Sequence, residues 1–191
     1  MVSAPLILAS ASPRRLSLLK QINITPSDVV PADIDETPLR DESPRDYVAR
    51  IALEKAETVA AKSSGSFVLA ADTAVACGRR ILPKSEDSET ARACLLLLSG
   101  RGHRVLTGVA LVAPSGEMAS RIVETRVKVR RLDDEHIDAY IRSEEWNGKA
   151  GGYAIQGLFA MHVVSIVGSY TNIVGLPLFE TANLLAGAGY K

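Results

Sequence analysis

The chain alternates between short apolar runs and longer stretches in which apolar residues recur every three or four positions. Pro5–Ala9, Phe67–Ala71 and Val163–Val167 are short apolar runs and read as strands. Phe67–Ala71 is apolar throughout and closed by Asp72-Thr73, the pattern of a strand buried on both faces. Val29–Ile34 reads as a further strand, running into the acidic cluster Asp33, Asp35, Glu36. Between these runs lie helix signatures. Ser12-Pro13 and Ser43-Pro44 each place an N-cap residue before a proline at the first helical position. The first predicts a helix to about Gln21. The second predicts one to about Lys62, with Val48, Ile51, Ala52, Lys55 and Ala56 on one face. Asp87 or Ser88 opens a Leu-rich helix that Gly100 ends, Asp133 opens one through about Ser143, and Pro177–Leu185 is the last. Val105–Val112 and Arg121–Arg131 read as a hairpin joined by the turn Pro114–Glu117. On the second of these strands Arg126, Lys128 and Arg130 form a wet face opposite Val127 and Val129. A Gly-rich loop, Gly148–Gly152, precedes Tyr153–Gly157. Alternating strands and helices with an inserted hairpin predict an α/β fold with a mixed sheet.

Composition narrows the function. The chain has 191 residues, 47% of them hydrophobic, with 22 Lys+Arg against 22 Asp+Glu. Zero net charge opposes readings that rest on bulk polyanion binding. Aromatics at 5% supply no stacking platform for single-stranded nucleic acid. No apolar stretch approaches the ~18 residues of a membrane span. The free cysteines, Cys77 and Cys94, form no CxxC and read as small core residues. A reducing cytoplasm is the expected setting, and one domain over 1–191 the expected organisation.

Three places could carry chemistry. In Leu8–Arg15 a strand ends, small residues turn, and a helix opens with Arg14 and Arg15 in its first turn. Cations there oppose the helix dipole unless an anion joins them, and a phosphate would suit the backbone N–H groups and both guanidinium forks. An ordinary surface Arg pair is the alternative. Asp72, after an apolar strand, suits a general base or a metal ligand; otherwise it merely turns the chain. Lys55, Lys84 and the cluster Asp33, Asp35, Glu36 could bind a divalent cation and a polyphosphate, or form a solvated surface. His103, His136 and His162 lack metal-ligand spacing, and neither a Walker loop, a GxGxxG nor a GxSxG is present.

Seven segments occur in order: Ser10-Ala-Ser-Pro-Arg-Arg15, Asp33-Ile-Asp-Glu-Thr-Pro38, Ala52-Leu-Glu-Lys-Ala56, Ala71-Asp-Thr73, Leu98-Ser-Gly100, Gly151-Gly-Tyr-Ala-Ile-Gln-Gly157 and Gly168-Ser-Tyr-Thr-Asn-Ile-Val-Gly-Leu-Pro177. In this the chain resembles the Maf family of nucleoside triphosphate pyrophosphatases over nearly its whole length. The resemblance implies a mixed central sheet flanked by helices, two lobes around a deep cleft (Maf/ITPase-like), and a homodimer. It implies hydrolysis between the α- and β-phosphates with a divalent cation, Mg2+ or Mn2+. Asp72 would be the proton acceptor, with Ser10, Arg15, Glu36, Lys55 and Lys84 on the phosphate and metal side. The family usually has Pro after the loop lysine, whereas Lys84 precedes Ser85, which predicts a looser loop.

The resemblance also separates two pocket types. Pro-Arg-Arg, Asp-Thr and Ile-Gln-Gly go with dTTP and UTP; Pro-Trp-Arg, Asp-Gln and Ser-Glu-Gly go with N7-methyl-GTP. Arg14, Thr73 and Gln156 belong to the first set. A Gln amide can accept from pyrimidine N3–H and donate to a ring carbonyl, whereas Glu can only accept. The alternatives are a Gln156 that only satisfies backbone, the same chemistry on N7-methyl-GTP or modified nucleotides, and a nucleotide-binding regulator of cell division with incidental hydrolysis. The expected partner is a nucleoside triphosphate, with no nucleic acid and no membrane.

Overall fold

The computed structural model describes residues 4–191. Its strands are β1 (Leu6–Leu8), β2 (Asp28–Val29), β3 (Phe67–Cys77), β4 (Arg80–Leu82), β5 (Lys84–Ser85), β6 (Gly102–Val112), β7 (Met118–Val129), β8 (Lys149–Ala150) and β9 (Val163–Val167). Its helices are α1 (Pro13–Gln21), α2 (Pro44–Ala60), α3 (Ser88–Leu98), α4 (Asp134–Arg142), α5 (Tyr170–Val174) and α6 (Leu178–Gly187), with a 3-10 turn over Leu158–His162. One sheet runs in the order β2-β1-β3-β6-β7-β9, with β4 added beside β3, and β5 pairs with β8 separately. β1 is parallel to β2 and β3, whereas β4 on β3 and β9 on β7 are antiparallel. The sheet is therefore mixed, as expected.

Among the described residues, side-chain caps open three of the six α-helices. Ser43 Oγ accepts from Asp46 N at the head of α2, Asp87 from Thr90 N at α3, and Asp133 from His136 N at α4. Ser12 precedes Pro13 at the start of α1, but its side chain makes no capping bond. Gly100 follows α3 at φ +70°, where a side chain would be strained.

Three strand expectations are corrected. The predicted strand Val29–Ile34 pairs only at Asp28–Val29, and the pairing ends where Val30 N donates to Leu8 O at 3.0 Å. The predicted strand Phe67–Ala71 does not end at Asp72-Thr73; β3 continues to Cys77. Ala74, Val75 and Ala76 are buried, so the apolar run resumes beyond Asp72. Both hairpin strands begin three residues earlier than predicted. Arg126 and Lys128 do alternate outward against buried Val127 and Val129. Cys94 is buried as expected, but Cys77 at the end of β3 is only half-buried.

The chain divides into two compact units. One holds residues up to Asp72, Thr107–Val123 and Gly175–Lys191; the other holds Thr73–Leu106 and Glu124–Val174. In the first, Ile7 and Ala9 (β1 and the residue after it), Val68 and Ala70 (β3), Ala110 and Val112 (β6) pack against Ala52, Ala56 and Val59 of α2. A Cβ on Gly108 would lie 2.7 Å from the Val48 carbonyl carbon, so glycine lets α2 lie flush on β6. The second unit is centred on fully buried Phe159, whose ring lies 5.1 Å from Tyr140 and 4.6 Å from Tyr153. Among the described residues no helix is long and apolar enough to cross a membrane.

His103 Nε2 lies 2.7 Å from the Tyr153 hydroxyl, and burial pushes the imidazole pKa down to about 4. The unfolded chain therefore binds a proton at higher pH than the folded one does. The contribution of His103 to stability is full above pH ~6.5 and is lost as pH falls toward 4, to a limit of ~3 kcal/mol. Chemical denaturation at stepped pH should show this loss, and His103→Gln should flatten it; an unchanged slope in that variant counts against the assignment.

Candidate active site

The first unit assembles most of the predicted site. Lys55 lies on the buried face of α2, one and two turns after Ile51 and Tyr47. Its Nζ donates to Asp72 Oδ1 at 2.8 Å and pairs with Glu36 Oε1 at 2.7 Å. Asp72 is 4% exposed and Lys55 7%, while Glu36 is half-buried. A carboxylate inside an apolar strand is costly unless a counter-charge meets it there. Lys55 is that counter-charge, so Asp72 can stand mid-strand.

The segment bearing Glu36 has no regular structure and is held to α2 by side chains. The Tyr47 hydroxyl donates to the Glu36 carbonyl at 3.0 Å. Burial, and then the Asp72 and Glu36 charges, push that phenol well above its ordinary value, so it remains a donor. Arg50 donates to Thr37 O at 3.2 Å and forks onto Glu42 at 2.7 and 2.9 Å. Asp33 and Asp35 are exposed; of the acidic cluster it is Glu36 that meets Lys55.

Arg15, third residue of α1, is buried. Its Nε donates to Gly175 O at 2.8 Å and its Nη1 to Ser10 Oγ at 2.9 Å. Ser10 Oγ also accepts from Ser12 N at 3.3 Å. Burial pushes the Arg15 pKa down, Asp72 and Glu36 pull it back up, and Arg14 pushes it down again. Arg14 is half-buried, and burial lowers its pKa too. Two desolvated guanidinium groups at a helix start both gain from an anion. The loop and helix α1 thus supply donors, and α2 and β3 supply a lysine bracketed by carboxylates.

Thr73, Lys84 and Gln156 belong to the second unit. Thr73 follows Asp72 in β3 and points to the opposite face of the strand. Lys84 is not in a loose loop. It sits in β5, paired with Ala150 of β8, and Gly148 N donates to Ser85 O at 2.8 Å. Ser85 is fully buried, so serine here is part of a packed ribbon. Gln156 is exposed in the turn before the 3-10 segment. Among the described residues no group of three or more His, Cys, Asp or Glu side chains is placed to hold a metal.

Sequence reasoning missed Tyr47 and Gly175. Tyr47 was within reach, since Tyr47, Ile51 and Lys55 are spaced by four along one helical face. Gly175 acts through its carbonyl, which no side-chain pattern reveals.

A buried lysine between two carboxylates, with Arg15 coupled to both acids, gathers charges of both signs within the first unit of an α/β fold. The chain matches the family model for Maf-like proteins over residues 5–188 and belongs to that family. It is 61% identical to the dTTP/UTP pyrophosphatase of Caulobacter vibrioides, over 97% of this chain and 96% of that one. It is 60% identical to the dTTP/UTP pyrophosphatase of Paramagnetospirillum magneticum, over 98% of each. A solved HAM1 protein from Coxiella burnetii shares the fold, with a TM-score of 0.52 at 15% identity over 96% of this chain and 99% of that one.

Removing the ammonium should leave Asp72 and Glu36 without the cation that bonds both. Lys55→Ala is expected to destabilise the protein by about 3–5 kcal/mol. Adding Asp72→Asn to that variant should restore part of the loss, read as a rise in denaturation midpoint. Simple addition of the two single-variant effects would contradict the ion cluster.

Proposed function

We propose that the protein is a nucleoside triphosphate pyrophosphatase that hydrolyses dTTP and UTP to the nucleoside monophosphate and pyrophosphate. The observation that carries this is the Lys55 ammonium held between Asp72 and Glu36. The names of the relatives, dTTP/UTP pyrophosphatases at 60–61% identity, support the same substrates.

In this reading a water oxygen attacks the α-phosphorus, the bond from that phosphorus to the bridging oxygen breaks, and pyrophosphate leaves. Asp72 takes the proton of the attacking water. Lys55 holds the Asp72 carboxylate in place and, with Arg14 and Arg15, offsets the charge of the triphosphate. Ser10 keeps the Arg15 fork oriented. Phosphoryl transfer demands mainly positioning and charge neutralisation, and these residues supply both. Glu36 and Asp72 offer hard carboxylate oxygens, and Mg2+ or Mn2+ is commonly held by one or two such groups together with substrate phosphates. The residues fit a divalent cation of that kind, and Glu36 and Asp72 would hold it. Such an ion supplies Lewis-acid neutralisation of phosphate oxygens. Thr73 and Gln156 would read the base, with the Gln156 amide matching the donor and acceptor of uracil or thymine. A cytoplasmic homodimer completes the proposal.

A pyrophosphate-release panel with Mg2+ and Mn2+ tests the substrate. We expect dTTP and UTP to exceed N7-methyl-GTP by ~5- to 100-fold in kcat/KM, the effect of leaving unmatched one donor that the bound base would cover. The reverse ranking would sink the pocket assignment. Asp72→Asn should keep the fold and lose at least ~100-fold in turnover, the usual weight of a general base. Near-normal turnover in that variant removes Asp72 from the role.

A further inference from the structure

The turn that carries Gln156 is held at both ends by helix α4 and the residues after it. At its start, Ala154 N donates to the Tyr140 hydroxyl at 3.0 Å. At its end, Leu158 N donates to Glu145 Oε2 at 2.7 Å. The turn closes on itself, with Gly157 N donating to Ala154 O at 3.3 Å. Between the two anchors Gln156 is exposed.

Glu145 is itself aimed by local structure. After α4, Ser143 Oγ donates to Tyr140 O at 2.7 Å and accepts from Glu145 N at 3.3 Å. Glu144 takes a left-handed conformation, φ +57°, that reverses the chain. Trp146 Nε1 donates to Ile141 O at 2.8 Å and locks the reversal.

The carboxylate then lies against Gly157. A Cβ built there would overlap it, with Oε1 only 2.8 Å away. The backbone angles of Gly157, φ −113° and ψ −153°, lie outside the left-handed region. What a side chain at 157 would displace is therefore the Glu145 carboxylate.

We propose that Glu145 is a positioning residue for base selection: its carboxylate, bonded to Leu158 N and seated where Gly157 lacks a Cβ, fixes the turn that presents Gln156. This rests on the reading that Gln156 meets the base.

The test compares Glu145→Ala, Glu145→Gln, Gly157→Ala and the double variant Glu145→Ala/Gly157→Ala. Each is measured for kcat and KM with dTTP, UTP and N7-methyl-GTP. Loss of one charge-assisted hydrogen bond predicts about tenfold higher KM for dTTP and UTP in Glu145→Ala, with kcat within threefold of the parent. Glu145→Gln keeps an acceptor for Leu158 N and should stay within threefold throughout. Gly157→Ala should push the carboxylate aside and reproduce the Glu145→Ala effect, and the double variant should be no worse than either single one. Wild-type KM in Glu145→Ala, a double variant equal to the product of the singles, or a uniform loss of kcat on all three nucleotides overturns the proposal. If Glu145→Ala does not fold, Gly157→Ala and Glu145→Gln decide it by the same criteria. A parent enzyme with no pyrimidine preference defeats the substrate reading instead. Amide exchange at Leu158 then judges the anchor: faster exchange in Glu145→Ala upholds it, and unchanged exchange rejects it.

Discussion

The ion cluster of Lys55, Asp72 and Glu36 is the constraint around which the first unit is arranged. β3 is apolar on both sides of Asp72 and could not carry a lone carboxylate at 4% exposure. Lys55 makes the strand possible, and α2 must be in register for Lys55 to arrive. The register is set by Ala52, Ala56 and Val59 against the sheet and by the absence of a side chain at Gly108. One ammonium faces two carboxylates, and Arg15 contributes the second positive charge that couples to both. Charges arranged in this way stabilise a fold less well than apolar residues of the same volume.

The same logic extends to Arg15. A cation in the first turn of a helix opposes the dipole, and burial adds a desolvation cost. Gly175 O and Ser10 Oγ take two of its donors and fix the plane of the guanidinium. A fork fixed in advance loses less entropy when an anion arrives. Side chains on α2 likewise hold the Glu36 segment: Tyr47 and Arg50 bond its backbone and Lys55 its carboxylate, so a stretch without regular structure is still placed.

Much of this was legible in the chain, and the illegible parts have physical reasons. The caps Ser43, Asp87 and Asp133 announced three helices, because capping is local chemistry. Asp72-Thr73 read as the end of a strand because polarity inside an apolar run normally marks an exit. The counter-charge that keeps it inside is seventeen residues away on another element. The ribbon of β5 and β8 has two residues in each strand, too few for any period to register. Lys84 therefore looked loose when it is paired. Ser10, Arg15, Lys55 and Glu36 were picked out by residue type and ordered motifs. The groups that orient them act through a carbonyl, as Gly175 does, or a distant hydroxyl, as Tyr47 does. The carbonyl leaves no pattern in one sequence, and Tyr47 leaves only its place on the helical face of Ile51 and Lys55.

Gly157 shows how a motif can combine two requirements in adjacent letters. In Ile155-Gln-Gly157 the glutamine is exposed and available to a ligand, whereas the glycine supports the turn by what it omits. Its torsions do not call for glycine; the Glu145 carboxylate does. Gly108 follows the same rule with a backbone carbonyl in place of the carboxylate. The difference lies in what yields. At Gly108 a methyl group would meet the main chain of a packed helix, which cannot retreat without disturbing the core. At Gly157 it would meet the mobile end of a side chain, which can rotate away while the fold survives. A glycine of the first kind guards stability, and one of the second kind guards the geometry of a single turn. On these grounds the Gly157–Glu145 contact bears on the shape of one turn, and the Gly108–Val48 contact on the packing of the fold.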